Sequence, residues 1–306
     1  MTAAYRPLRE ARDLALPVRG LTYHVNAWGD ASLVTPDRPP LLMLHGWMDV
    51  GASFQFVVDA LARAEGAQRY VLAPDWRGFG GTSSGGGDSY WFPDYLGDLD
   101  ALADALAPGM PFDLLGHSMG GNVVMSYAGI RPARIRRLVN LEGFGLPDMA
   151  AEQAPGRAAK WLDELKSPQA FSPYADAAAV AARLRKNNPR LPADKAAWLA
   201  THWAEPRSDG QWHLRADPAH RRVNPVPYRV AEAVATWRAI AAPVLWVEGA
   251  QTDMRKWWGD RYPRAEFDAR LAHVHKVLSV TLEDAGHMLH HDQPEALAAA
   301  LLQFLG

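Results

Sequence analysis

Gly116-His117-Ser118-Met119-Gly120 is the stretch that decides the fold of this chain, and it lies between an apolar run at 112–115 and a helical pattern. A Gly-x-Ser-x-Gly motif at a strand-to-helix turn raises the serine oxygen above the carboxyl edge of a sheet. Such a turn needs a strained backbone, and small residues two positions before and after the serine let strand and helix approach closely. We therefore predict that Ser118 is a nucleophile on a tight turn.

Short apolar runs with helical segments between them surround this motif. The apolar runs are typical of strands covered on both faces and lie at 41–44, 70–73, 112–115, 138–141, 244–247 and 277–282. An alternating run at 21–27 is typical of a half-buried antiparallel strand. Helical patterns occupy roughly 52–65, 91–107, 119–130, 262–272 and 294–305. This alternation predicts parallel βαβ units.

The alternation stops between residues 147 and 241, which are rich in alanine and contain no strand-like apolar run. We interpret 147–241 as a helical cap inserted after the sixth strand, and 1–146 with 242–306 as the core domain. One or two tryptophans of the cap are expected to face the substrate, although the pattern does not say which; they are Trp161, Trp198, Trp203, Trp212 and Trp237.

A histidine and two acids follow strands whose carboxyl ends share one edge of the predicted sheet. His287 comes just after the run at 277–282 and is the predicted general base, because imidazole can take the serine proton and return it to the leaving group. Asp253 follows the run at 244–247 and is the predicted acid that orients His287. Glu142, at the end of the run at 138–141, is the alternative acid.

The segment His45-Gly46-Trp47 directly follows the run at 41–44. Backbone N–H groups at this edge can stabilise the negative charge of a tetrahedral intermediate. We expect the amides of Trp47 and Met119 to form the oxyanion hole.

Composition restricts the remaining possibilities. The 306 residues are 48% hydrophobic, carry a formal net charge of −2 and include no cysteine, which excludes disulfides and thiol catalysis and argues against a nucleic-acid partner. The first twenty residues contain no apolar signal core, and no window predicts a membrane span, so a cytoplasmic protein is expected. The spacing of His287, His290 and His291 lacks the pairing typical of zinc motifs, so no metal is expected. No pattern specifies an oligomeric state.

In order and type, these motifs resemble those of the α/β-hydrolase fold superfamily, in its cap-bearing serine hydrolase branch. The resemblance covers about 21–146 and 242–306, and it includes Asp75-Trp76-Arg77-Gly78-Phe79-Gly80 and Gly286-His287. It implies a mostly parallel eight-stranded α/β sheet with helices on both faces and a cap after strand 6. Serine at 118 departs from the aspartate nucleophile of the related dehalogenases and epoxide hydrolases. The loop from Gly249 to Asp253 is longer than is common in the family, which keeps Glu142 as an alternative.

The resemblance implies a serine hydrolase that cleaves a carboxylic ester or a related acyl substrate through an acyl-enzyme. Ser118, Asp253 and His287 would form the triad, the substrate would be a small molecule, and no cofactor would be needed. Two alternatives stay open: a carbon–carbon bond hydrolase with the same triad, and a ligand-binding sensor on the same fold.

Overall fold

A computed structural model describes residues 4–64 and 69–306 of the chain. The predicted helix at 52–65 therefore ends at a position outside the described residues. No helix in these two stretches combines the length and the apolar character needed to cross a bilayer.

The centre of the molecule is an eight-stranded sheet in the order β1-β2-β4-β3-β5-β6-β9-β10. β1 and β2 are antiparallel to their neighbours and the remaining pairs are parallel. This confirms the predicted mostly parallel α/β sheet. The strands are β1 Arg12–Val18, β2 Leu21–Trp28, β3 Leu41–Leu44, β4 Val71–Pro74, β5 Phe112–His117, β6 Ile135–Leu141, β7 Ala204–Pro206, β8 Trp212–Leu214, β9 Val244–Gly249 and β10 Val277–Leu282.

Helices cover both faces of the sheet. They are α1 Gln55–Arg63, α2 Phe92–Leu106, α3 Met119–Ile130, α4 Ala154–Leu165, α5 Ala177–Asn187, α6 Ala193–Trp203, α7 Val230–Arg238, α8 Arg255–Trp258, α9 Arg264–Leu271, α10 Leu289–Asp292 and α11 Pro294–Leu305. Alternation along β3 separates the faces: Leu42 and Leu44 join a core with α2 and α3, whereas Leu41 and Met43 join a core with α1 and α11. Because β3 to β6 and β9 are parallel and largely buried on both faces, their carboxyl ends open together at one edge of the sheet.

The segment between β6 and β9 contains α4 to α7 and a short antiparallel hairpin of β7 and β8. The hairpin was not expected from the sequence, since its strands span only three residues each. α5 and α6 form a small core with Val50 and Ala52 of the loop after β3 and with Phe56 at the start of α1. This packing places part of the segment beside the loop that follows β3.

Candidate active site

Ser118 lies on the turn between β5 and α3 with φ 53° and ψ −114°, a backbone conformation that a residue with a side chain rarely adopts. Its amide donates a hydrogen bond to the carbonyl oxygen of Leu141 in the neighbouring strand at 2.8 Å. The predicted strain is therefore confirmed, and this bond helps to hold the turn against β6.

The two glycines of the motif are required by close backbone approach. A Cβ on Gly116 would overlap the backbone of Gly120, and a Cβ on Gly120 would overlap the carbonyl oxygens of Leu44 and His45. The strand, the turn and the following helix are thus packed without room for a side chain at either position, as the motif predicts.

His287 lies between Ser118 and a carboxylate. Its Nε2 is 2.9 Å from the Oγ of Ser118, and its Nδ1 is 2.7 Å from Oε2 of Glu142. The loop that carries His287 is tied down by His117, whose Nε2 lies 2.8 Å from the carbonyl oxygen of His287. Because that carbonyl can only accept, His117 Nε2 is the donor. Serine, imidazole and carboxylate therefore form one continuous hydrogen-bonded chain.

The carboxylate in this chain belongs to Glu142, so the preference for Asp253 as the partner of His287 is corrected. Asp253 is exposed, and its Oδ1 accepts a hydrogen bond from the amide of Arg255 at the start of α8. The carboxylate of Glu142 already fills the space beside the imidazole. Its second oxygen, Oε1, accepts bonds from the amide of Gly249 at 2.7 Å and from the hydroxyl of Thr252 at 2.6 Å.

Glu142 is 1% exposed and has a φ of 54°, so it is a second strained residue at a strand end. Its position follows from β6, which pairs with β5 on one side and β9 on the other. A carboxylate at the end of this central strand can reach both the loop after β9 and the histidine after β10. Thr252 was not among the predicted site residues, because a hydroxyl that orients an acid leaves no recognisable sequence pattern.

The loop after β3 lies directly beside the nucleophile. A Cβ on Gly46 would be 3.1 Å from the Cβ of Ser118, and Trp47, whose side chain is 53% exposed, borders the cavity above it. His45 holds this loop to the next one: its Nε2 accepts a hydrogen bond from the amide of Trp76 at 2.8 Å. Burial lowers the pKa of His45, so it is a neutral acceptor. The role of the Trp47 and Met119 amides as an oxyanion hole stays a prediction.

A cavity of about 790 Å³ opens over Ser118 and His287. Residues from the core and from the segment between β6 and β9 line it together. Trp203 is the tryptophan of that segment that borders it, alongside Trp47 and Trp257 from the core. The ring of Trp257 packs edge-on against His287 with centroids 4.6 Å apart. The cavity has room for a small organic substrate.

Two further histidines lie buried beneath this site with Asp49. His291 Nε2 is 2.6 Å from the hydroxyl of Ser53, and His290 packs against His117 with ring centroids 4.4 Å apart. Ligand atoms of Asp49, His290 and His291 lie within 4.8 Å of one another, which makes them the described residues best placed to hold a metal ion. Burial lowers the pKa of both histidines, so they are neutral. Ring contacts with His117 join them to the packing beneath His287.

Asp292 supports the loop of His287 from the other side. Its Oδ2 accepts a hydrogen bond from the amide of Gly286 at 2.9 Å, and its Oδ1 accepts one from the side-chain amide of Asn188 at 2.7 Å. The carboxylate therefore links the histidine loop to the turn after α5. This residue was also missed by sequence reasoning, because the connection spans a hundred positions of chain.

Comparison with known proteins agrees with this architecture. The chain is 25% identical over 301 residues to a serine hydrolase-like protein of Dictyostelium discoideum, covering 94% of this chain and 79% of that protein. It is 30% identical over 298 residues to a 3-hydroxybutyrate-oligomer hydrolase of Cupriavidus necator, covering 94% and 93%. The thioesterase domain from the curacin biosynthetic pathway superposes with a TM-score of 0.80 at 26% identity, covering 95% of this chain and 99% of the domain. The sequence model of the alpha/beta hydrolase fold family matches residues 39–294, and this chain belongs to that family.

Proposed function

We propose that this protein is a serine hydrolase that cleaves a carboxylic ester or a related acyl substrate. The observation that carries the proposal is the unbroken hydrogen-bonded chain from Ser118 through His287 to Glu142, opening into a cavity. An isolated serine hydroxyl is a weak nucleophile, and an imidazole within hydrogen-bond reach is the base that activates it. The names of the relatives, an oligomer hydrolase and a thioesterase domain, also describe enzymes that cleave acyl bonds.

The reaction proceeds in two halves. In the first, His287 takes the proton of Ser118 as its oxygen attacks the substrate carbonyl, and the protonated imidazole is stabilised by Glu142. The backbone amides of Trp47 and Met119 would donate to the oxygen that becomes negative. The intermediate collapses when His287 gives its proton to the leaving alcohol, which leaves an acyl group on Ser118.

In the second half, a water molecule replaces the alcohol. His287 takes a proton from this water, which attacks the acyl carbonyl, and the imidazole then returns the proton to Ser118 as the acid is released. Glu142 accepts the hydrogen bond of Nδ1 and so fixes the tautomer that presents Nε2 to the serine. We also propose that 147–241 acts as a cap, since α5, α6 and the hairpin supply residues to the cavity wall.

The experiment is a turnover assay with short-chain chromogenic esters on the wild type and on Ser118→Ala. We expect saturable hydrolysis by the wild type and its loss in the variant, together with loss of labelling by a fluorophosphonate probe. Equal rates in the two proteins would contradict the proposal. Labelling by the probe without turnover of any ester would favour a ligand-binding sensor. A vinylogous diketone is assayed beside the esters, and turnover of this compound alone would favour carbon–carbon bond hydrolysis.

A further inference from the structure

One face of α5 borders the cavity. Val180, Arg183, Leu184 and Asn187 all line it, and their spacing of three and four residues places them on the same side of the helix. Arg183 is therefore an exposed cationic residue at the border of the cavity. Within residues 4–64 and 69–306, no carboxylate lies within ion-pair distance of Arg183.

Arg190, just beyond α5, carries a second guanidinium to the side of the cavity where His287 lies. A Cβ on Gly286, the residue before His287, would be 3.2 Å from Nη1 of Arg190. The same nitrogen is 3.8 Å from Oδ2 of Asp292, whose side chain is 1% exposed and also holds the amide of Gly286. A buried carboxylate thus positions Arg190 next to the histidine loop.

Two more cations complete the lining. Arg221 is fixed by a hydrogen bond from Nη1 to the carbonyl oxygen of Ala170 at 2.9 Å, and Lys256 projects from α8 on the core side. The carboxylates that line the cavity are Asp49 and Asp253, and each already accepts a backbone hydrogen bond. Arg183, Arg190, Arg221 and Lys256 are all exposed, so this positive charge lies where the cavity meets solvent, in a chain whose formal net charge is −2.

The position of the charges relative to His287 indicates which part of a substrate they meet. The imidazole protonates the leaving oxygen, so the leaving alcohol lies on the side of the histidine loop. Arg190 borders that loop, and Arg183 lies on the cavity-facing side of α5, the helix that precedes Arg190 in the chain. A guanidinium binds a carboxylate through charge-assisted hydrogen bonds.

Resting on the proposed hydrolase function, we infer that the cavity accepts an ester whose leaving alcohol carries a free carboxylate, and that Arg183 and Arg190 recognise it. The substrate is then an ester of a hydroxy acid, with the apolar part of the acyl group against the tryptophans of the cavity wall. The carboxylate of the leaving alcohol forms the ion pair that Arg183 does not form within the described residues.

A matched pair of chromogenic esters tests this assignment: para-butanoyloxybenzoate and para-butanoyloxybenzamide. They share the acyl group and the shape of the leaving phenol but differ in charge, and each rate is divided by the rate of hydroxide hydrolysis. We expect the wild type to favour the carboxylate in kcat/KM by at least about tenfold, the order of a charge-assisted hydrogen bond. The preference should fall as salt is added.

Three variants locate the effect. Arg183→Gln should lower the carboxylate-to-amide ratio by about tenfold, and Arg183→Lys should restore part of it. The control is Arg185→Gln, which removes the same charge from the same helix at a position outside the cavity lining, and it should keep the wild-type ratio. Circular dichroism of all three variants checks that each is folded.

Two results overturn the inference in distinguishable ways. A wild-type ratio near one, with the amide ester turned over and Ser118 labelled, would refute the carboxylate assignment while leaving the hydrolase proposal intact. A ratio that falls equally in Arg183→Gln and Arg185→Gln would also refute it. No turnover of either ester, with no turnover of the uncharged short-chain esters, would refute the hydrolase proposal and the inference with it.

Discussion

Thr252 is the residue that ties the loop after β9 to the acid of the site. Its hydroxyl donates to Oε1 of Glu142 at 2.6 Å, while Oε2 of the same carboxylate accepts from His287. The hydroxyl therefore fixes the carboxylate in the rotamer that orients the imidazole. A residue of this kind acts through Glu142 and need not touch the substrate carbonyl.

Replacing Thr252 by valine tests this positioning role. Thr252→Val keeps the shape but removes the hydroxyl, and a hydrogen bond to a charged group contributes about 1.5–3 kcal/mol. We expect kcat to fall by about tenfold or more with a smaller change in KM. Thr252→Ser should recover most of the loss in steady-state assays, and a valine variant with wild-type kcat would contradict the role.

The choice between Glu142 and Asp253 shows where sequence reasoning fails at the residue scale. Both acids follow strands that end at the same edge, so strand order alone allows either to approach His287. The decision depends on side-chain packing: Asp253 turns outward to the amide of Arg255, and Gly249 and Thr252 donate to Glu142 instead. Ser118 and His287 were predicted because their positions follow from the strand ends themselves.

At the scale of elements, the apolar runs in the sequence predict the bounds of several strands closely. The runs at 41–44 and 277–282 match β3 and β10 in full, because apolar residues occupy all four positions of β3 and four of the six positions of β10. β1 Arg12–Val18 was missed because Arg12, Asp13 and Pro17 interrupt its apolar pattern. The β7–β8 hairpin was missed because three residues carry no periodicity.

The contact between α3, β5 and β3 depends on Gly120, which leads to a prediction about stability. In Gly120→Ala the new Cβ would overlap the carbonyl oxygens of Leu44 and His45, so strand and helix must separate. We expect a loss of several kcal/mol of folding free energy, about as large as a severe overpacking defect, measured by urea unfolding or seen as insoluble protein.

Gly156→Ala is the matched control for that variant. Gly156 lies in the first turn of α4 with open space where a Cβ would be, so alanine should raise stability by at most about 0.5–1 kcal/mol, the full helix-interior effect. If both variants changed the free energy of unfolding equally, steric overlap would not be the cause of the effect of Gly120→Ala.

At the scale of the whole molecule, buried histidines make stability depend on pH. Burial lowers the pKa of His117 to about 4, with a smaller contribution from His287, and burial also lowers the pKa of His220 to about 4. His24 behaves in the opposite way: its hydrogen bond to Asp75 raises its pKa to about 9. The charged state of the protein therefore differs from that of the unfolded chain on both sides of neutrality.

These shifts predict loss of stability in both acid and alkali. Between pH 6.5 and about 4, His117 and His220 bind protons in the unfolded chain but stay unprotonated in the folded protein. The free energy of unfolding therefore falls as pH falls, by up to about 1.4 kcal/mol per pH unit for each histidine. The stabilisation from protonated His24 is complete below pH 6.5 and is lost as pH rises through about 9. Urea unfolding across this range should show the free energy of unfolding falling in both acid and alkali.

In the variant His117→Gln, the free energy of unfolding should fall less steeply with pH on the acid side. An unchanged slope would contradict the role assigned to His117.

The core and the segment at 147–241 supply different parts of the cavity, and this arrangement is also a property of the whole molecule. The core supplies Ser118, His287 and Glu142 from strand ends, while α5, α6 and the hairpin supply the opposite wall of the cavity. α7 differs from these elements, because it packs against α3 and its Trp237 is buried in the main core. If the proposed function holds, specificity depends on elements whose sequence pattern indicates helix but does not indicate which face borders the cavity.

Glu142, hydrogen-bonded to His287, is the proposed acid of a serine hydrolase triad, and two matched variants test this assignment. The measurement is kcat/KM for a short-chain ester with Glu142→Gln and Asp253→Asn, each of which removes one negative charge at nearly constant shape. We predict a loss of about 10³- to 10⁴-fold for Glu142→Gln, the order seen when a triad acid becomes an amide, and a change of only a few fold for Asp253→Asn. A large loss in Asp253→Asn with near wild-type activity in Glu142→Gln would show that Glu142 is not the acid of the triad.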